Sequence, residues 1–194
     1  MPVTFESETD TAEFRRSRWK EWNGRFRDDV RSFFCGEQGV VTRFSDRILG
    51  SPEMYAHKQR GIEQSVNFVT CHDGFTLNDL VSYDQKHNEA NLEGNRDGSN
   101  DNRSWNCGVE GPHSRPGSGA LAESTSEELS RRDHAFTGHA DNLMGDEIRR
   151  IQHGNNNAYC YDDANNWMTG ACWRSTPTYI VSQDCSSRGA CCEA

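Results

Sequence analysis

Long apolar runs are missing from this chain. No stretch approaches the roughly 20 apolar residues of a membrane span, so a spanning helix is not expected. Apolar residues are scarce throughout: they make up 33% of the 194 positions, and mean hydropathy is −0.93. An ordinary globular domain holds about 45–50% by a count that includes Gly, and adding the 17 Gly here does not close the gap, so the core is under-supplied. Positive charge is also short. Lys and Arg number 21 against 30 Asp and Glu, which leaves a net charge of −9 and a pI near 5.2. That balance disfavours nucleic acid or an anionic membrane surface as the main partner.

Several motif classes are absent. There is no GxSxG elbow, no GxxxxGK[ST] loop and no GxGxxG after a strand, which removes the common signals for serine hydrolases and nucleotide binding. The eight cysteines form no CxxC pair and no regular framework, so reduced thiols are expected. His134 and His139, with the carboxyl-terminal cysteines, fit no zinc spacing. The amino-terminal MPVTFESETD has neither a basic nor an apolar segment of the kind a secretory signal needs. We expect a cytoplasmic protein with no metal and no cofactor.

What is present falls into five blocks. Residues 1–18 and 168–194 are polar, lack periodicity and are expected to be unstructured. Residues 19–112 are dense in aromatic and helical signals, 113–143 are atypical with little to bury, and 144–167 return to motif density. Within the second block, Trp22-Asn23-Gly24 reads as a turn. A helix is expected over DDVRSFFCG, opening on Asp28 and Asp29 to suit the helix dipole and closing at Gly36. RFSDRIL (43–49) reads as a second helical piece, ended by Gly50-Ser51-Pro52. A buried strand is expected over 65–71, and a helix over Thr76 to Tyr83 with Thr76 as its cap and Asp79 three residues on. Residues 84–112 form a long polar loop.

The most informative stretch is SVNFVTCHDGFTLNDLVSY, residues 65–83. An apolar run stops abruptly at Cys71-His72-Asp73-Gly74, so a titratable pair and a tight turn sit where a strand emerges. In parallel α/β barrels, chemistry is placed at the carboxyl ends of strands. A strand-end Asp that caps the next turn is the plain structural reading. In the following loop Asp97, Ser99 and Asp101 alternate as in a calcium-binding loop. The sixth and twelfth positions, however, are Asn102 and Gly108 rather than Gly and Glu. Asn, Asp, Arg and an aromatic face suit a polyol better. Asn155-Asn156-Asn157 is open to two readings, a turn that exploits asparagine's tolerance of left-handed backbone or a set of cleft residues.

Residues 65–83 closely resemble the fourth conserved region of the α-amylase superfamily, glycoside hydrolase family 13. WKEWNGRFRDDVRSFF (19–34), NFVTCHDGFTLNDLVSYDQKHNEAN (67–91), NRDGSNDNRSWNCGVEGP (95–112) and MGDEIRRIQHGNNNAYCYDDANNW (144–167) resemble, in order, its glycogen-debranching and isoamylase branch. The resemblance implies an α/β fold: the last three strands of a (β/α)8 TIM barrel with their loops, over 19–167. It implies hydrolysis of α-1,6 branch linkages in glycogen or a related branched α-glucan by a retaining mechanism. Asp73 would be the carboxylate that stabilises the oxocarbenium-like transition state, and His72 would hydrogen-bond the sugar. Asn88, Asn95, Arg103, Trp105 and Asn156 are the further substrate-binding candidates.

The same resemblance marks two gaps. In the family the nucleophile and the general acid lie on strands that precede this region, and neither motif is found here; Asp28, Asp29, Asp146 and Glu147 are carboxylates to which the pattern gives no such role. The 194-residue chain alone is therefore expected to be inactive and of low stability. Residues 1–18, 113–143 and 168–194 break the match and read as frame-shifted or foreign sequence; the middle interval offers no buried parallel strand. The alternatives are a non-catalytic α-glucan-binding or degenerate fragment, and a relative of α-1,4-acting amylases or transferases.

Overall fold

The computed structural model describes residues 20–55, 61–112, 121–122, 124–129, 136–159 and 161–167. The expectations for 1–18 and 168–194, and the zinc reading of His134 with the terminal cysteines, lie outside the described residues. The chain divides into two compact units, residues 1–69 with 132–142, and residues 70–131 with 143–194.

The first unit carries a three-stranded parallel sheet in the order β1 (Glu21–Trp22), β2 (Ser65–Asn67), β3 (His139–Ala140). Glu21 pairs with Ser65 and Trp22 with Val66, while Val66 pairs with His139 and Asn67 with Ala140. Between β1 and β2 in sequence run α1 (Gly24–Phe34), α2 (Val41–Ile48) and α3 (Pro52–Tyr55). The fold is thus mixed α/β with parallel pairing. Among the described residues no helix is long and apolar enough to cross a membrane.

Helix α1 starts four residues before the expected Asp28. Asn23, not an acidic residue, caps it: Asn23 Oδ1 accepts from Phe26 N at 2.9 Å. The same side chain donates from Nδ2 to Ser51 Oγ at 2.9 Å and to Ser65 Oγ at 3.1 Å. One buried amide therefore caps a helix and ties it to β2, which a dipole argument built on Asp28 and Asp29 could not reveal. Asp29 instead lies mid-helix, buried, 3.2 Å from Arg47 Nε. The expected end holds: Gly36, just past the cap residue Cys35, has φ 73°. Helix α2 agrees with the RFSDRIL reading to within two residues at its start.

Strand β2 is shorter than the expected 65–71. The Val69 carbonyl, which a continuing ladder would use, accepts from Arg31 Nε at 2.8 Å and Nη2 at 2.6 Å. Phe68 turns to Trp22, ring centroids 5.1 Å apart. The core of this unit gathers Phe26, Val30, Val40, Phe44, Met54, Tyr55, Phe68 and Val69, all buried. Phe33 stacks on Phe44 at 3.9 Å. Each large apolar side chain so buried contributes about 1.5–3 kcal/mol.

The interval 113–143 contributes more than its composition suggests. It supplies β3, a parallel strand, although both of its residues are exposed rather than buried. Asp141 N donates to Asn67 O at 2.8 Å and Asn67 Nδ2 to Thr137 O at 3.1 Å. Phe136 is buried, packing edge-on against Phe26 at 5.3 Å and Phe44 at 5.9 Å. At Gly138, with φ 138°, an added Cβ would sit 2.6 Å from Asn67 Nδ2, so only glycine fits. Backbone pairing and the Phe136 ring hold residues 136–142, where an apolar run is lacking.

Candidate functional site

Every sequence-derived site residue falls in the second unit, which has little regular structure. Its core is Phe75, Leu77, Leu80, Val81, Tyr83, Cys107 and Ile148. The short helix α4 (Leu77–Leu80) is capped as expected, with Thr76 Oγ1 accepting from Asp79 N at 3.1 Å. It ends earlier than Tyr83 because later carbonyls are claimed by the long loop: Trp105 N donates to Leu80 O at 3.0 Å and Gly111 N to Ser82 O at 2.8 Å.

Two buried carboxylates stitch this unit together, and sequence reasoning gave neither its full role. Asp79, with 0% exposure, accepts from Thr76 Oγ1 at 2.7 Å, Gln152 N at 2.7 Å and Gly154 N at 3.1 Å. Burial pushes its pKa up, although these bonds oppose the rise. Asp146 accepts from Thr70 Oγ1 at 2.5 Å and from Leu77 N at 3.0 Å. Burial pushes it up to about 6; the Thr70 and Leu77 bonds and the Arg150 charge oppose that shift, while Glu147 adds to it. The GDE triplet at 145–147 was the available signal for Asp146.

His72 and Asp73 lie between these anchors. Their side chains are 56% and 51% exposed, with His72 Nε2 3.3 Å from Asp73 Oδ2. The turn beneath them is fastened by backbone: Gly74 N donates to Asn156 O at 3.1 Å, with Gly74 at φ 113°. Phe75, fully buried, packs towards Tyr83. The pair is thus presented to solvent on a loop whose neighbours are fixed, and an ionised carboxylate there can face a developing positive charge.

The asparagine candidates behave differently. Asn88, with 0% exposure, donates from Nδ2 to Asp97 O at 3.0 Å and to Asn156 Oδ1 at 2.8 Å, and accepts from Asn156 N at 3.0 Å. Asn156, also buried, donates from Nδ2 to Ser99 O and to Asn102 Oδ1, both at 2.7 Å. Asn95, at φ 59°, accepts from Asn88 N at 2.9 Å and donates to Lys86 O at 3.2 Å. These three are joined to one another, and their amides are committed to protein partners. Arg103 and Trp105 are attached less directly. Arg103 lies 3.6 Å from Asp101, and Trp105 is 37% exposed, its backbone held by Leu80.

The alternating Asp97, Ser99 and Asp101 also find protein partners. Asp97 Oδ2 accepts from Asn91 Nδ2 at 2.7 Å and Asn157 Nδ2 at 2.9 Å, which hold its pKa below the usual value. Ser99 Oγ accepts from Asp101 N at 3.1 Å. Lys86 Nζ donates to Asp97 O at 2.8 Å and Gly98 O at 3.2 Å. At the far end of the loop, Glu110 accepts from Asp84 N, Gln85 N and Asn106 Nδ2. Burial pushes this carboxyl up, but those bonds and His87 outweigh it and hold it low. Among the described residues no cluster of three or more His, Cys, Asp or Glu side chains could hold a metal ion.

No protein-family model matches the chain. Individual proteins do. The "Glycogen operon protein GlgX homolog" of Mycobacterium tuberculosis (strain H37Rv) is 50% identical over 150 residues, 77% of this chain and 21% of that protein. "Isoamylase 3, chloroplastic" of Oryza sativa subsp. japonica is 46% identical over 145 residues, 75% of this chain and 18% of the relative. The Haemophilus influenzae GlgX homolog is 43% identical over 166 residues, 80% of this chain and 24% of its own length. The chain spans about a fifth of the length of the curated relatives it matches. By these identities over three-quarters of its residues, the chain belongs to the family of the glycogen-operon GlgX homologs and the isoamylases.

Proposed function

We propose that this chain is part of the catalytic region of an isoamylase-type glycogen debranching enzyme, which hydrolyses α-1,6 branch linkages with retention. The observation that carries this is 50% identity to a protein named for the glycogen operon. The motif spans that carry the resemblance include the solvent-facing His72-Asp73 loop. On this reading β1, β2 and β3 are neighbouring strands of a parallel α/β barrel, and their sequential parallel order supports it. The proposed setting is cytoplasmic and the proposed partner is glycogen or a related branched α-glucan.

In this mechanism the Asp73 carboxylate lies beneath the oxocarbenium-like transition state, lowering its energy relative to the neutral ground state. His72 donates to a sugar hydroxyl and orients the ring. Asn88, Asn95 and Asn156 serve as the scaffold that fixes the surrounding loops. Arg103 and Trp105 offer a charge and an aromatic face to the glucan. A retaining glycosidase also needs a nucleophile and a general acid. Those two are not assigned among this chain's motifs, so turnover is proposed for a protein in which this segment is accompanied by them.

Grafting residues 65–112 into the Mycobacterium tuberculosis homolog in place of the aligned stretch tests the reading. The graft is expected to release linear chains from glycogen. Asp73→Asn within it is expected to lower the rate by about 10²–10³-fold or more, as for loss of other preorganised electrostatic groups. Full activity in the Asn variant would refute the role of Asp73, and an inactive but folded graft would refute the debranching reading. Co-sedimentation of the 194-residue chain with glycogen, without chain release, would favour a binding module.

A further inference from the structure

We infer that Asp146 is the positioning residue of the His72-Asp73 loop, gripping that loop at both ends with a single carboxylate. Thr70 immediately precedes the segment 71–76 and Leu77 immediately follows it. Asp146 Oδ2 accepts from the Thr70 hydroxyl at 2.5 Å and Oδ1 from the Leu77 amide at 3.0 Å. The carboxylate is 6% exposed, whereas the two side chains it frames are more than half exposed. With both side chains more than half exposed, the fastenings of the loop carry much of their placement. Those fastenings are Asp146 at the two ends, the Asn156 carbonyl on Gly74 N in the middle, and the buried Phe75 ring.

The choice of residue fits this role. Each oxygen of a carboxylate can take a separate donor, so one side chain joins a hydroxyl and a backbone amide that are seven residues apart. Asp79 makes the reverse connection from α4, accepting from Gln152 N and Gly154 N. That second clamp fixes the 152–154 turn and leaves the 71–76 loop to Asp146. The functional consequence rests on the glucan reading above; the positioning itself does not.

The test uses the 194-residue chain and its variants Asp146→Ala and Asp146→Asn, read by amide hydrogen exchange and by binding of maltoheptaose. Asp146→Ala removes both bonds, each worth about tenfold in an equilibrium. Exchange over residues 70–77 is expected to quicken about tenfold or more, while 79–83 and 152–156, held by Asp79, keep their protection. Maltoheptaose affinity is expected to fall in parallel. Asp146→Asn should rescue both readouts, because its Oδ1 accepts from Leu77 and its amide can donate to Thr70 Oγ1. If Asp146→Ala does not fold, Thr70→Val removes one bond only and is expected to loosen 70–77 partially. Unchanged exchange over 70–77, a uniform loss across all three segments, or no rescue by Asn would overturn the inference. Failure of the unsubstituted chain to bind maltoheptaose would instead count against the glucan reading, while the exchange pattern still decides the role of Asp146.

Discussion

Asn88 and Asn156 hold each other by two hydrogen bonds: Asn88 Nδ2 donates to Asn156 Oδ1 at 2.8 Å, and Asn156 N donates to Asn88 Oδ1 at 3.0 Å. Both residues are buried, and 68 positions separate them in the chain. This pair joins the long polar loop to the asparagine turn that also holds Gly74.

Truncating either partner leaves buried polar groups unpaired. Asn88→Ala takes the acceptor from the Asn156 backbone N–H and the donor from Asn156 Oδ1, at about 1–3 kcal/mol for each group. The Asn88→Ala, Asn156→Ala double variant is expected to lose less than the sum of the singles, with a coupling of about 0.5–3 kcal/mol. Urea unfolding of the four proteins measures it; additive losses would show that the pair does not act as a unit.

Gly98 crosses the same pair closely. A Cβ there would lie 2.2 Å from Asn156 Oδ1 and 2.8 Å from Asn88 Nδ2, and φ is already 70°. Gly98→Ala is expected to cost at least about 1–2 kcal/mol from the left-handed backbone alone, with the steric clash added. Gly108→Ala, where the Cβ would meet open space at φ 92°, should show the backbone cost by itself. Equal losses at the two sites would argue against the close approach.

Asp146 sets a pH dependence of stability. Its carboxyl titrates near 6 in the folded chain against an ordinary 3.8, so the folded state holds this proton more tightly than the unfolded state. Its contribution is therefore fully present below about pH 4 and is lost as pH rises through about 6; the gap corresponds to about 3 kcal/mol. Asp146→Asn is expected to flatten stability over that window and to raise it at pH 7.5. Thermal melts from pH 4 to 8 test this, and an unchanged slope in the Asn variant would contradict it.

Arg47 is the polar hub of the first unit. Its guanidinium is 3.2 Å from Asp29 Oδ2, donates to Ser51 Oγ at 3.0 Å and pairs with Glu53. Arg47→Met leaves Asp29, largely buried, without this partner. The expected loss is about 3–5 kcal/mol, as for other broken buried pairs. Arg47→Met with Asp29→Leu should recover much of it in chemical denaturation.

His72→Ala and Asp73→Asn should separate stability from function. Both side chains are more than half exposed, so each change is expected to move stability by less than about 0.5 kcal/mol. Glucan binding or turnover should nevertheless fall in the proteins that show it. A large loss of stability with unchanged glucan binding would mark the pair as structural.

The local signals were well marked in the sequence. Thr76 caps α4 because its hydroxyl sits three residues before the Asp79 amide, and Gly36 closes α1 because it tolerates φ 73°. These are short-range facts of backbone geometry. Misreadings came where a distant group competes. Asp28 and Asp29 looked like a helix start, but Asn23 is the cap because Ser51 and Ser65 hold its amide. The strand over 65–71 looked continuous, but Arg31 takes the Val69 carbonyl. The segment before Met144 lacks the apolar run of a buried strand, and the strand found there, β3, is exposed and paired through the β2 backbone.

The sequence by itself determined the acidic balance, the Thr76 cap of α4 and the Gly36 end of α1, the ordered motifs that identify the family, and the placing of His72 and Asp73 in a loop after an apolar run. Only the tertiary structure decided which polar side chains face solvent and which face each other. Asn88 and Asn156 have the composition of sugar ligands, yet their amides are spent within the protein. Asp146 looked like an unassigned carboxylate, yet it is buried between Thr70 and Leu77. The reason is physical: a buried polar group must find partners, and partners far apart in sequence meet only when the chain is folded.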